Sequence, residues 1–246
     1  MTMDEADEIL VLDLGSHSAK AYLKGDGLLE LGTVTWAIIE GGKLNPAAER
    51  ALRELVEPHR ILNRRVYAIG TEAMRRRPEL AREVQEVCRK LNIFYRTLSH
   101  EEEALLILRA FSKFGDKDII NIGGGSAQII SGAARAITLL GFGIVDLNRD
   151  FLLDKAPEER RIEECESGLQ AQLPPLGDFI YTGGEAKYLR HLGVPLQNEL
   201  CRAEDFARLA ERLSMISMPE LEKLSPYDPR WLRGAIASNC FVNACL

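Results

Sequence analysis

An α/β fold of two related domains is what this 246-residue sequence predicts. Three observations lead there. Two apolar runs end in glycine-rich turns, Val11-Leu12-Asp13-Leu14-Gly15-Ser16-His17-Ser18 and Ile119-Ile120-Asn121-Ile122-Gly123-Gly124-Gly125-Ser126, which place Asp13 and Asn121 equivalently. After each run come segments of strand period and then of helical period, so the order repeats. Strand and helix patterns alternate throughout, as they do where helices cover a sheet.

Ile9 to Leu14 is nearly all apolar and predicts a strand buried on both faces. Ala19 to Lys24 alternates Lys20, Tyr22 and Lys24 with Ala19, Ala21 and Leu23, a second strand, so the first glycine turn joins a hairpin. That separates it from a P-loop, which needs a helix after it and a Gly-Lys-Ser/Thr ending. Leu28 to Trp36 predicts a third strand. Asn45-Pro46 starts a helix carrying Leu52, Leu55 and Val56. Val66 to Ile69 predicts a strand, Pro78 opens a helix to about Leu91 that Asn92 ends, and Ile93 to Leu98 predicts another strand. Ser99 and Glu102 form a capping box for a helix to about Phe111, whose Leu105, Leu106, Ile107, Leu108, Ala110 and Phe111 predict burial nearly all round.

Gly115-Asp116-Lys117 interrupts the pattern, which divides the chain into domains 1–116 and 117–246. The second domain restarts at Asp118, with strands near 128–131 and 135–140 and a strand Phe179-Ile180-Tyr181-Thr182 ending in Gly183-Gly184. Helices are expected from Glu185 to about His191 and from Ala203 to Ser214, the latter with Phe206, Leu209, Ala210 and Leu213 on one stripe. The apolar segment Gly234 to Leu246 reads as a packed helix. A ligand is expected in a cleft between the two domains.

The composition, 46% hydrophobic and 28% charged, is that of an ordinary globular enzyme. A net charge of −6 argues against broad binding to nucleic acid or to a membrane surface. An anionic ligand therefore needs a local basic site, for which Arg60, Arg64, Arg65, Arg75, Arg76 and Arg77 are candidates, most of them forming a solvated face. Five cysteines without a Cys-x-x-Cys pair read as reduced thiols. The acidic start lacks the basic opening of a signal peptide, and no apolar stretch reaches the about 20 residues that span a bilayer. The expected location is the cytoplasm.

Glycine lets a backbone turn tightly and approach a ligand closely, and successive N–H groups in such a turn make an anion site. The first turn alone reads equally as a tight hairpin. Three adjacent glycines before Ser126 exceed what a hairpin needs, and the pair of turns points to phosphate.

These residues resemble the exopolyphosphatase/guanosine pentaphosphate phosphohydrolase (Ppx/GppA) family of the actin-like ATPase superfamily. Asp13 to Ser18 resembles the family's Asp-Ile-Gly-Ser-Asn-Ser loop, with Lys20 where a basic residue is common. Ala68-Ile69-Gly70-Thr71-Glu72-Ala73-Met74-Arg75 is similar to its Ala-Thr-Ser-Ala-Leu-Arg segment, and Ser99-His100-Glu101-Glu102-Glu103-Ala104 to Ser-Gly-Glu-Glu-Glu-Ala. Asn121 to Gln128 parallels Asp-Ile-Gly-Gly-Gly-Ser-Thr-Glu, and Leu140-Gly141-Phe142-Gly143, Tyr181-Thr182-Gly183-Gly184 and Pro226 to Arg230 match later elements. The resemblance implies two actin-like (ribonuclease H-like) domains with a central cleft, the second one shortened. It also implies magnesium, release of the terminal phosphate of polyphosphate or guanosine pentaphosphate, and, by analogy, a homodimer.

By the same resemblance Glu103 is the glutamate that activates water, and Asp13 and Glu103 are the metal ligands. On the residues alone, Glu101 to Glu103 read as acids stabilising a helix N-terminus, and Asp13 equally as a cap for its turn. Phosphate binding falls to Gly15, Ser16, His17, Ser18, Lys20, Thr71, Arg75, Gly124, Gly125, Ser126, Gly183 and Gly184. His17 replaces the family's asparagine and keeps a hydrogen-bond donor; His59, His100 and His191 read as surface or cap residues. Asn121 and Gln128 stand where the family has aspartate and glutamate. Neither amide is a base near neutral pH, although Gln128 can orient water by hydrogen bonds. Two alternatives therefore stand beside the phosphohydrolase: a member that binds polyphosphate or a nucleotide without efficient turnover, and an actin-like ATPase with Thr182-Gly183-Gly184-Glu185 near an adenosine.

Overall fold

The computed structural model describes residues 8–15, 18–25, 27–35, 39–40, 43–62, 64–134, 136–155, 158–183, 188–197, 200–226 and 229–246. They form two compact units, Met1–Glu103 and Ala104–Leu246.

In the first unit, β1 (Ile9–Leu14), β2 (Ser18–Lys24) and β3 (Leu28–Thr35) form an antiparallel meander. After the two-residue strands β4 (Ile39–Glu40) and β5 (Lys43–Leu44) comes α1 (Pro46–Ile61), then β6 (Arg65–Gly70), α2 (Glu72–Arg76), α3 (Pro78–Lys90) and β7 (Phe94–Thr97). The sheet order is β3-β2-β1-β6-β7, with β6 parallel to β1 and β7 parallel to β6. Parallel neighbours need a crossover, which α1 and α3 supply.

Local chemistry sets the ends of these helices. The Asn45 side-chain oxygen accepts the Ala47 N–H at 2.8 Å as Pro46 enters α1. After α3 the backbone reverses at Asn92, whose φ of 57° lies in the left-handed region that asparagine tolerates.

Leu10, Leu12 and Leu14 pack in one cluster with Ala48, Leu52 and Val56 of α1 and Leu80, Val84 and Val87 of α3. Ile9, Val11 and Asp13, on the other face of β1, are only half-buried. The expectation of a strand buried on both faces is thus corrected: α1 and α3 lie on the same side. Asp13 and Lys20 owe their partial exposure to that asymmetry.

Helix α4 (His100–Phe111) runs across the division between the units, and Ser112–Phe114 closes it with a 3-10 turn. Its Ser99–Glu102 capping box is present: Ser99 N–H donates to Glu102 Oε2 at 2.9 Å, and Glu102 N–H to Ser99 Oγ at 3.1 Å. Burial all round is not found. Ala104, Ile107, Leu108 and Phe111 pack on Ile119 and Ile130. Leu105 and Leu106 are 54% and 48% exposed, because one helix face suffices to cover a sheet.

The second unit contains β8 (Asp118–Ile122), β9 (Ala127–Ile130), β10 (Ile137–Leu140), α5 (Ile144–Phe151), α6 (Glu159–Gln170), β11 (Phe179–Thr182), α7 (Tyr188–His191), α8 (Ala203–Met215), α9 (Met218–Lys223) and α10 (Ala235–Cys245). The helix expected from Glu185 begins at Tyr188 among the described residues; residues 184–187 lie outside them. The sheet order is β10-β9-β8-β11, antiparallel except for the parallel β8–β11 pair. It repeats the arrangement β3-β2-β1-β6 of the first unit. Here both faces are covered: Ile120 and Ile122 join the core with α5, α6 and α10, while Ile119 meets α4. Helix α10 is apolar nearly all round and buried through Ile236, Cys240 and Phe241. The five cysteines are unpaired, and no helix among the described residues is long and apolar enough to cross a membrane.

Candidate active site

Each glycine turn is closed by a hydrogen bond of the same kind. Gly15 N–H donates to the Ser18 carbonyl at 3.0 Å, and Gly123 N–H to the Ser126 carbonyl at 2.9 Å. A Cβ would lie 3.1 Å from Ser18 O in the first and 3.2 Å from Ser126 O in the second, so both turns favour glycine for room. Ser16, His17 and Gly184 lie outside the described residues.

Asp13, one residue before the end of β1, faces Lys20 across the ladder, with Oδ2 3.8 Å from Nζ. Thr71 ties the start of α2 to this strand: its N–H and its hydroxyl both donate to the Leu14 carbonyl, each at 3.3 Å. The hydroxyl expected to donate to phosphate is thereby engaged with the backbone.

Glu72 then gathers three donors although only 6% exposed. Arg75 Nε donates to its Oε2 at 3.0 Å and Arg76 Nε to its Oε1 at 2.7 Å. His100 Nε2 lies 2.7 Å from Oε2, and because an ionised carboxylate only accepts, that nitrogen carries the proton. Burial works to raise the Glu72 pKa, but hydrogen bonds from Arg76, Arg75 and His100 outweigh it and hold it below the usual value.

Arg75 leads from Glu72 to Glu103. Its Nη1 donates to the Leu98 carbonyl at 3.0 Å, and its Nη2 stands 2.9 Å from Glu103 Oε2. The two groups form a charge pair, and both of these atoms are buried. Burial pushes the Glu103 carboxyl above the usual glutamate range; Arg75 opposes the shift and the charge of Asp13 adds to it. Its neighbours do other work: Glu102 caps α4 and pairs with Arg96, and Glu101 is exposed. Of the three glutamates, Glu103 is the one within ion-pair distance of Arg75.

In the second unit the turn is fixed from behind. The carbonyls of Gly123 and Gly124 accept N–H groups from Ile144 and Val145, at 3.1 and 2.8 Å. In a trans peptide the next N–H points opposite to the carbonyl, so Gly124 and Gly125 aim theirs away from α5. Gly143 makes this docking possible, since a Cβ there would lie 2.5 Å from Gly123 O and 2.6 Å from Ser126 N. Asn121 faces Gln128 across the β8–β9 ladder. Gln128 has no exposed surface, and its amide Oε1 and Nε2 have no hydrogen-bond partner among the described residues. Gly183 has a φ of 115° and a Cβ there would collide with the Ile122 carbonyl, a steric reason for glycine.

Sequence reasoning placed Asp13, Lys20, Thr71, Arg75 and Glu103 in one unit and Gly124, Gly125, Ser126, Gln128 and Gly183 in the other. It singled out neither Glu72 nor the contact that the partly exposed His100 makes with it. The only signal for Glu72 is its three- and four-residue spacing to Arg75 and Arg76. His59 and His191 also have partners, Arg64 Nη1 at 3.1 Å from the His59 Nδ1 and the Trp231 ring at 5.5 Å from that of His191.

Two sheets with the same order of first four strands, each opening on a hairpin that encloses a glycine turn, define an actin-like α/β protein. The family model of the Ppx/GppA phosphatase family matches residues 48–227, more than half of the sequence, and the chain belongs to that family. No curated protein matches the chain. Among solved structures it is similar to an exopolyphosphatase from Cytophaga hutchinsonii, with TM-score 0.75 and 19% identity over 98% of this chain and 90% of that one. It is also similar to the Aquifex aeolicus Ppx/GppA family member, with TM-score 0.66 and 20% identity over 97% and 89%.

Proposed function

We propose that the chain is a phosphohydrolase that releases the terminal phosphate of inorganic polyphosphate or guanosine pentaphosphate by attack of water. Glu103 carries the reading. It is a half-buried carboxylate with raised proton affinity, paired with Arg75 and close enough to Asp13 to feel its charge. A base for water needs that combination of proton affinity and fixed direction.

The remaining roles rest on chemistry. Phosphate binding is assigned to the turns Gly15, Ser16, His17 and Ser18 and Gly124, Gly125 and Ser126, with Lys20, Gly183 and Gly184, although the Gly15 N–H is already engaged with the Ser18 carbonyl and Lys20 faces Asp13. The Gln128 amide, fully buried here, reaches a water only once its surroundings open. Arg75 and Thr71 border the same strand ends, although each already has protein partners. Magnesium is held by one or two carboxylates together with substrate phosphates and water, and Asp13 and Glu103 are a donor set of that kind. Among the described residues no group of three or more His, Cys, Asp or Glu could hold a metal ion. The ion would neutralise phosphate charge.

The test is phosphate release from polyphosphate, guanosine pentaphosphate and ATP with magnesium present. Glu103→Gln should lower kcat by about 10²-fold or more, the usual scale of general-base catalysis. An unchanged rate removes Glu103 from the role. Tight polyphosphate binding without release identifies a binding protein, and preference for ATP an ATPase.

A further inference from the structure

We propose that Glu72 is a positioning residue that fixes the Arg75 guanidinium against Glu103. The inference deepens the phosphohydrolase reading, on which its kinetic arm rests, while its structural arm does not.

A flexible arginine must be held at more than one point to present a chosen nitrogen to a partner. Arg75 is held at Nε by Glu72 and at Nη1 by the Leu98 carbonyl, which leaves Nη2 beside Glu103. A planar guanidinium fixed at two nitrogens has no freedom in the third. Glu72 is itself anchored from two further directions, by Arg76 from its own helix and by His100 from the start of α4. The His100 contact matters most, because Glu103 lies one turn further along that helix. The same carboxylate thus grips both the arginine and the helix that carries its partner. Buried side chains held this way act as a unit.

A residue that merely stabilises the fold would lower stability independently of Glu103. A positioning residue is coupled to it through Arg75. The test is a double-mutant cycle in denaturant with Glu72→Gln, Glu103→Gln and the two combined. We expect the combined variant's folding constant to differ from the product of the single effects by about threefold or more, within the range of coupled neighbours. Agreement with the product, within error, overturns the proposal. Should Glu72→Gln fail to fold, His100→Gln replaces it in the cycle, with the same two readings. In the kinetic arm, Glu72→Gln should lower kcat about tenfold with KM changed less than twofold, and Glu72→Asp should recover part of the loss. Parallel changes in KM and kcat, without recovery, count against it. Absence of phosphate release by the wild type defeats the proposed function, while the denaturation cycle still decides the role of Glu72.

Discussion

Asn121 and Gln128 face each other between β8 and β9 in the place that Asp13 and Lys20 hold between β1 and β2. One device is thus built twice with different electrostatics: a charged pair in the first unit and a neutral amide pair in the second.

Gln128 exposes the difference between what the fold needs and what the chemistry needs. A buried amide without partners costs about 1–3 kcal/mol. Gln128→Leu, similar in size, is expected to leave stability unchanged or raise it by about 1 kcal/mol while phosphate release falls. Thermal denaturation beside kinetics checks this, and a large loss of stability would refute it.

Gly143→Ala should destabilise the second unit by about 1–3 kcal/mol, because the atoms in its way are backbone and cannot swing aside. Gly141→Ala is the control: its Cβ would meet nothing within 4 Å, so a change within about 0.5 kcal/mol is expected. Denaturant midpoints of the two variants give the comparison.

Acid should weaken the protein through Glu72. Its folded pKa lies below the ordinary 4.5, so its contribution is present above that value and is lost as pH falls through the folded one. Glu72→Gln should cost about 3 kcal/mol at pH 7 and flatten the decline of stability below pH 4.5. Urea unfolding as a function of pH reads both.

Glu103 should titrate above 4.5, and Asp13→Asn should move its midpoint down by removing a repelling charge. Carboxyl carbon NMR tracks the group directly. An upward movement would contradict the placement of Asp13 beside it.

Thiol labelling of the native protein at pH 8 should modify Cys201 well before the other four. Burial pushes Cys88 up to about 12 and Cys245 to about 11, whereas Cys201 is half-exposed, although raised in pKa as well. Early labelling of Cys88 would show that the first unit opens readily.

Hydrophobic period, capping residues and glycine turns are local properties, and they were enough to read most strands and helices and the repeated hairpin out of the chain. Motifs in a fixed order added the candidates Asp13 and Glu103. Asn45, Pro78 and the Ser99–Glu102 box mark helix ends with their own side chains, so no distant partner was needed to read them. Packing in three dimensions was required to show that β1 is covered on one face and β8 on both, and that α4 leaves Leu105 and Leu106 outside. It was required also to show which of three consecutive glutamates meets Arg75, and that Glu72 joins His100, 28 residues away. Pairing between side chains on different elements depends on their arrangement in space. Residues that are neighbours in the chain but point apart, such as Glu102 and Glu103, look alike until the fold separates them.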